Sequence, residues 1–303
     1  MAEIDTTDAI DVHAYLDESR VSAMDLDCLA RKNNISTIIV SPACTKNHEP
    51  DKHPGMYWVQ RLILKIGALR SLAAWISSSF YDQKGELRPV WRLFTRESRD
   101  LIKVMHPDND DLLEKISPYK QKLKMWYWVN PGDDIDFTVL EESFGNRQIF
   151  GVKIHAYWHS VDLGTIEKYA QFCKKVGCPL YIILGYGKAG DVDSLIKLCG
   201  GVNVILGYGA FPAFSHAWSK VRSQPNFYID LTSFHLDRSL IRKALRLLGS
   251  EKCIFGTDCP YNFYDEAGDF SYEKTFQRIS FDFLGPEDYE RIFRANIKKI
   301  ART

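Results

Sequence analysis

The chain has 303 residues, 45% of them hydrophobic, and its 39 lysines plus arginines balance 39 aspartates plus glutamates. That balance leaves no net field to attract nucleic acid or an anionic membrane, and the length suits one large α/β domain better than a small sandwich. Seven cysteines without CxxC spacing point to reduced thiols in a cytoplasmic protein and against a disulfide framework.

Met1 to Asp8 is mostly polar, carries Glu3, Asp5 and Asp8 with no basic residue, and resembles neither a secretory signal nor a transit peptide. A strand from Ala9 to Val12 leads into Asp11-Val12-His13-Ala14-Tyr15, where two-residue alternation turns His13 and Tyr15 to the same side. Ser22, with Asp25 three positions on, predicts a helix start, and Leu26, Leu29 and Ala30 form its apolar stripe. Ile35 to Val40 reads as the second strand, ending at Ser41-Pro42.

Residues 43–120 break the pattern. A loop bearing His48, Glu49, Asp51 and His53 leads into a helix with Val59, Leu62, Ile63, Ile66, Leu69, Leu72 and Ile76 at helical spacing. Arg61, Lys65 and Arg70 make Trp58 to Phe80 amphipathic, so it reads as a packing helix and not a membrane span. An insertion after a strand belongs at the functional end of a barrel, as a lid or a subunit contact, so a homo-oligomer through 43–120 is one expectation.

Beyond it the alternation is regular. Strands are predicted at Leu123–Val129, Phe150–His155, Leu180–Leu184, Val202–Leu206, Phe227–Leu231 and Cys253–Phe255, with helices between most of them. One such helix carries Ile166, Tyr169, Cys173 and Val176 on one face and is stopped by Gly177. Eight strands alternating with helices predict a (β/α)8 TIM-like barrel with a helical insertion after the second strand, spanning 1–303 as one domain. No glycine-rich dinucleotide fingerprint follows the first strand, which argues against an open doubly wound sheet. The echo of Ile183-Leu184-Gly185-Tyr186-Gly187 in Ile205-Leu206-Gly207-Tyr208-Gly209 marks equivalent strand ends, whose glycines could offer backbone N–H groups to an anion.

Lys252 to Tyr261 is the most informative stretch. An apolar run, a glycine, an acidic residue and a proline are how a buried parallel strand ends when it presents one carboxylate at its tip, which makes Asp258 the first candidate for chemistry. Lys153 and His155 share a parity on the fourth strand, so both can face the barrel mouth.

Taken in order, Asp11-Val12-His13, Gly151-Val152-Lys153-Ile154-His155, Phe255-Gly256-Thr257-Asp258-Cys259-Pro260 and Glu290-Arg291-Ile292-Phe293-Arg294-Ala295-Asn296 resemble the amidohydrolase superfamily. The resemblance is to its amidohydrolase-related (amidohydrolase 2) branch of lactonases, decarboxylases and hydratases. It implies the barrel fold and a metal site built from His-x-His on strand one, one histidine each at strands five and six, and the aspartate of strand eight. Here His13 and Asp258 match, while Tyr15, Ile183 and Tyr208 stand at the other three positions. A catalytic zinc needs three protein ligands and a water, and neither an aliphatic side chain nor a neutral phenol replaces an imidazole. His155 could supply a third ligand, and His48, His53 or His235 an alternative site.

The same branch includes metal-free lactonases in which the strand-eight aspartate activates water, and this resemblance gives Asp258 a role without zinc. The expectation is therefore a metal-independent hydrolase of a small cyclic ester or related carbonyl compound, with no cofactor and a small-molecule substrate. Its catalytic residues would be Asp258, Lys153, His13 and His155, and its substrate-binding residues Tyr15, Tyr208, Trp158 and His235. Two alternatives stand beside it: a metal-dependent hydrolase or decarboxylase with a rearranged site, and a non-catalytic barrel serving binding or assembly. At single residues, Lys153 could instead pair with Asp258 or Asp230, and His13 could be held by Asp11. Cys44 and Cys259 flank the mouth without an assignable base.

Overall fold

The computed structural model describes residues 5–43, 63, 66–79, 88, 107–232, 236–261, 263–264 and 268–301. Short apolar runs bounded by turn residues form eight parallel strands in sequence order: β1 (Ala9–Leu16), β2 (Ile35–Pro42), β3 (Leu123–Val129), β4 (Ile149–His155), β5 (Leu180–Ile183), β6 (Val204–Leu206), β7 (Phe227–Asp230) and β8 (Cys253–Ile254). The segment after β8 closes the sheet onto β1. Val12 N–H donates to Phe255 O at 3.1 Å, Tyr15 N–H to Cys259 O at 2.7 Å and Asp258 N–H to His13 O at 2.7 Å. The result is a TIM-like barrel.

Two helices begin or end where the sequence places their caps. Ser22 and Asp25 form a reciprocal capping box at the start of Ala23–Lys32, and Gly177, at φ 69°, takes the left-handed turn that ends Glu167–Val176. Of the segment between β2 and β3, helices Gly67–Ser78 and Asn109–Ile116 are described. Arg70 lies 4.6 Å over the Phe214 ring, which brings the first of these against the loop after β6. His48, His53 and Cys44 lie outside the described residues.

Two apolar layers hold the barrel together. One, outside the strands, joins them to the helices; the other fills the interior with Val12, Ile39, Trp126, Phe150, Tyr181, Ile183, Ile205, Tyr228 and Ile254, closed below by Ile297 and Ile300. Trp126 donates its indole N–H to Val12 O at 2.8 Å, which satisfies the polar atom of a fully enclosed ring. Its ring fits because β4 has a glycine opposite it. A Cβ on Gly151 would stand 2.7 Å from Trp126 Cζ3 and 2.3 Å from the Pro179 carbonyl oxygen. Asn296, in the C-terminal motif, donates to Ser250 O and Cys253 O, both at 2.8 Å, and so pins the entry to β8.

The β1–β2 register shifts between Asp11 and Ala14, the signature of a bulge. The extra residue switches the strand's parity, so Val12 faces the interior below while His13 and Tyr15 face the mouth above. A uniform alternation could not place both Val12 and His13 inside.

Candidate active site

Inward positions at the C-terminal ends of the strands replace the apolar interior with a polar layer. His13 and Tyr15 come from β1, Ser41 from β2, Lys153 from β4, Tyr181 from β5 and Asp230 from β7, with Tyr208 and Asp258 from the turns after β6 and β8. Lys153 is fully buried, and Nζ donates to Tyr15 Oη at 3.0 Å and Ser41 Oγ at 3.0 Å, with His13 Nε2 at 3.3 Å. The rings of Tyr15, Trp128 and Tyr181 surround the ammonium at 4.2, 4.8 and 5.4 Å, a set of cation–π contacts that offsets part of its desolvation.

Tyr15 and Tyr208 hydroxyls are 3.3 Å apart, and Tyr208 donates to Asp258 Oδ1 at 3.1 Å. A continuous hydrogen-bonded path therefore runs from the Lys153 ammonium to the Asp258 carboxylate through two phenols. Burial and the neighbouring Asp258 push the Tyr208 phenol well above its ordinary pKa, so it stays protonated and donates. The two residues at the carboxylate end of this path sit on strained backbone. Tyr208 has φ 53° and Asp258 φ 63°, left-handed conformations that the interior bonding enforces.

His13 is neutral. Burial first, then the Lys153 charge, lowers its pKa to about 4, against the opposing pull of Asp230. Asp230 Oδ2 lies 3.1 Å from His13 Nδ1, and Tyr181 Oη lies 2.6 Å from the same nitrogen while donating to Asp230. Asp11 holds only the backbone of this residue, accepting from His13 N–H at 3.1 Å, and its other partners are Thr257 and Tyr272. The imidazole is thus oriented by Asp230 rather than by Asp11, a correction to the sequence expectation.

His155 joins the site from the side. Its ring stacks on Trp158 at 4.0 Å and on Trp128 at 5.7 Å, and Nδ1 accepts from Trp158 N–H at 3.1 Å. Trp158 is half-buried, so Trp128, His155 and Trp158 make a layered aromatic wall beside Lys153. His155 Nε2 is buried with no hydrogen-bond partner among the described residues, and burial followed by the Lys153 charge holds its pKa well below the usual histidine value. A cleft of about 350 Å³ lies between the segments after β1 and β2 and the helix Asn109–Ile116, lined by Leu16, Asp17, Pro42, Asp111 and Lys115 among others and by none of these site residues.

Of the eight site residues expected from the sequence, His13, Tyr15, Lys153, Tyr208 and Asp258 fall in one bonded network, and His155 and Trp158 form its wall. His235 lies outside the described residues. Tyr181 and Ser41 were not anticipated. Tyr181 hides in the apolar run Leu180–Leu184, where only its parity with Ile183 marks it as inward-facing. Gly185 offers nothing to an anion, because its N–H donates to Ala189 O at 2.7 Å. Cys259 is buried, and its thiol is pushed well above the ordinary range by burial and by Asp11 and Asp258, which does not suit a nucleophile.

The described donors do not fit a catalytic divalent ion. His13 Nε2 and Asp258 Oδ1, 3.9 Å apart, are two of the three protein ligands such an ion needs. The remaining neighbours are the phenols of Tyr15, Tyr181 and Tyr208, which are poor substitutes for imidazole, and the Lys153 ammonium lies 3.3 Å from the imidazole nitrogen that would have to bind the metal. No group of three or more His, Cys, Asp or Glu side chains among the described residues is arranged to hold one.

The Amidohydro_2 family model, described as amidohydrolase, matches residues 90–302. The chain belongs to this amidohydrolase family. No curated protein matches the sequence. Among solved structures, this amidohydrolase is similar to 2,6-dihydroxybenzoate decarboxylase from Rhizobium, with a TM-score of 0.59 and 12% identity over 97% of this chain and 98% of that one. A putative 2-pyrone-4,6-dicarboxylic acid hydrolase from Pseudomonas putida gives 0.59 and 12% over 96% of each chain. A dihydroxybenzoic acid decarboxylase from Polaromonas, with bound manganese and 2-nitroresorcinol, gives 0.57 and 12% over 97% and 96%. These likenesses carry the barrel fold. Among the described residues, no helix is long and apolar enough to cross a membrane.

Proposed function

We propose that this amidohydrolase is a metal-independent hydrolase of a small cyclic ester or a related carbonyl compound. The observation that carries the reading is the bonded path from Lys153 through Tyr15 and Tyr208 to Asp258, which puts a buried cation and a carboxylate at opposite ends of one polar layer at the strand ends. Hydrolysis of an ester needs both: a base for water and a positive centre for the oxygen that becomes negative.

In this reading the ester carbonyl oxygen faces Lys153 Nζ and Tyr15 Oη, and Asp258 takes a proton from the attacking water. The tetrahedral oxyanion is stabilised by the ammonium and the phenol, in a buried site where such contacts are worth more than in water. Collapse breaks the ring C–O bond, and the proton held by Asp258 passes to the departing oxygen. Tyr208, which bonds the carboxylate, keeps it aimed at the water, while His155 and Trp158 offer a flat wall for a planar ring.

The reading is tested by following ring opening of unsaturated and saturated lactones at neutral pH, with and without a chelator, on the native protein and Asp258→Asn. Chelator-resistant turnover that the variant lacks is the expected result. Turnover abolished by chelator, or release of carbon dioxide from aromatic carboxylates instead, would favour a metal-dependent hydrolase or decarboxylase. Native protein inert to every carbonyl substrate would favour a binding role.

A further inference from the structure

The geometry around His13 assigns a role to a residue outside the reacting pair: we infer that Asp230, on β7, is a positioning residue that fixes His13 as the Nδ1–H tautomer and, from its other oxygen, anchors the turn that presents Tyr208. The inference deepens the proposed function and rests on that reading for its catalytic meaning, but its structural content stands on the hydrogen bonding alone.

Every proton around the imidazole has one consistent place. Asp230 is fully buried and Oδ2 accepts from Tyr181, so this oxygen is an acceptor toward His13 Nδ1, 3.1 Å away. Tyr181 Oη, having spent its proton on Asp230, is an acceptor toward the same nitrogen at 2.6 Å. Nδ1 therefore faces two acceptors and carries the hydrogen. In a neutral imidazole that leaves Nε2 as a lone pair. Of the groups at Nε2, the Lys153 ammonium at 3.3 Å can only donate, while the Tyr15 hydroxyl at 3.2 Å gives its one proton to Tyr208 on the path to Asp258 and leaves this nitrogen to the ammonium. The opposite tautomer would set an N–H against the ammonium and leave Nδ1 without a donor.

The second oxygen does separate work. Gly209 N–H donates to Asp230 Oδ1 at 3.2 Å, and Gly209 follows Tyr208 in a turn where both residues have positive φ. One carboxylate thus fixes the imidazole that accepts from Lys153 and the turn that brings Tyr208 to Asp258. Both ends of the proposed catalytic path depend on it.

The test is the tautomeric state of His13 in full-length protein labelled with 15N-histidine, read from the pattern of long-range 1H–15N couplings at neutral pH and assigned by the signal missing in His13→Gln. Wild-type protein is expected to show a protonated Nδ1 and an unprotonated Nε2, Tyr181→Phe to keep that pattern, and Asp230→Asn to invert it, because the Asn amide can donate to Nδ1. A protonated Nε2 in the wild type overturns the inference, as does inversion in Tyr181→Phe with retention in Asp230→Asn. If Asp230→Asn does not fold, the wild type and Tyr181→Phe still decide. No substrate enters the measurement, so a failed lactone screen would leave the tautomer result standing, and a wrong tautomer would leave the hydrolase reading to its own assay.

Discussion

Lys153 and Asp258 are the two ends of one hydrogen-bonded path: Nζ donates to Tyr15 at 3.0 Å, Tyr15 and Tyr208 hydroxyls meet at 3.3 Å, and Tyr208 donates to Asp258 at 3.1 Å. The ammonium lies beside His13 Nε2, on the side where a metal bound to this imidazole would have to sit. A fixed positive charge in that place can perform the electrostatic part of a metal's work, stabilising a developing oxyanion, without lowering the pKa of a bound water. In the proposed reaction the water is then activated by a base, the role proposed for Asp258.

From this arrangement follows low metal affinity. Elemental analysis of protein purified without chelator or added metal is expected to find less than about 0.1 zinc or manganese per chain, because two good ligands fall short of the three that a catalytic site requires. One equivalent per chain, lost in Asp258→Asn, would contradict it.

In the proposed mechanism Asp258 carries the chemistry, and its backbone also carries strain; two substitutions separate the two. Asp258→Asn removes the base and is expected to lower kcat for lactone opening by roughly 10²–10⁴-fold while leaving KM close to native. The residue has φ 63°, a conformation that asparagine adopts readily and alanine does not. Asp258→Ala should therefore lose a further ~1–2 kcal/mol of stability relative to Asp258→Asn. Thermal unfolding of the two variants checks this; equal midpoints would show that the turn relaxes once the carboxylate is gone.

Much of the barrel was legible because its strands are short apolar runs with turn residues at their ends; Leu123–Val129 is the same in sequence and structure, six others differ by a residue or two at their edges, and the first, expected to end at Val12, runs on to Leu16. His13, Tyr15 and Lys153 could be placed at the mouth from parity and Asp258 from the apolar run, glycine, acid and proline that end its strand, while Tyr208 was singled out only through the family resemblance. The partner of the His13 ring was not. Asp11 is its neighbour in sequence, whereas Asp230 reaches it across the barrel, and only the closed sheet brings β1 and β7 together. The bulge in β1 was hidden for a similar reason, since register is a property of two strands and is not written in either alone.

The glycine of the Gly151-Val152-Lys153 motif should be intolerant of any side chain. A Cβ there would meet the Pro179 carbonyl oxygen at 2.3 Å and Trp126 Cζ3 at 2.7 Å, and neither backbone nor an enclosed indole can move away cheaply. Gly151→Ala is expected to destabilise the fold by roughly 1–3 kcal/mol through overpacking. Because Lys153 lies two residues along the same strand, lactone turnover should fall as well. Denaturant titration measures the first effect, and a stability equal to wild type would mean that β4 shifts as a unit.

Asp11 sets a pH dependence of stability with a definite sign. It accepts four hydrogen bonds, from Thr257 Oγ1 and N–H, Tyr272 Oη and His13 N–H, yet burial outweighs them and raises its pKa from 3.8 to about 7. A carboxyl whose folded pKa exceeds its unfolded value binds its proton more tightly in the fold. Its stabilising contribution is therefore fully present below about pH 4 and is lost as pH rises toward 7, where the buried group ionises. His13 works the other way, since a folded pKa of about 4 against 6.5 makes stability rise with pH across that interval. Comparing wild type with Asp11→Asn cancels the histidine, which both proteins share. The asparagine mimics the protonated carboxyl, with its NH2 facing the Thr257 and Tyr272 hydroxyls, which can rotate to accept. Wild type should lose stability relative to Asp11→Asn by roughly 2–4 kcal/mol between pH 4 and pH 8. Urea unfolding of both proteins at the two pH values gives the difference directly. A constant gap would mean that the four donors keep Asp11 ionised throughout, and a gap of opposite sign would mean that they lower its pKa below that of the unfolded chain.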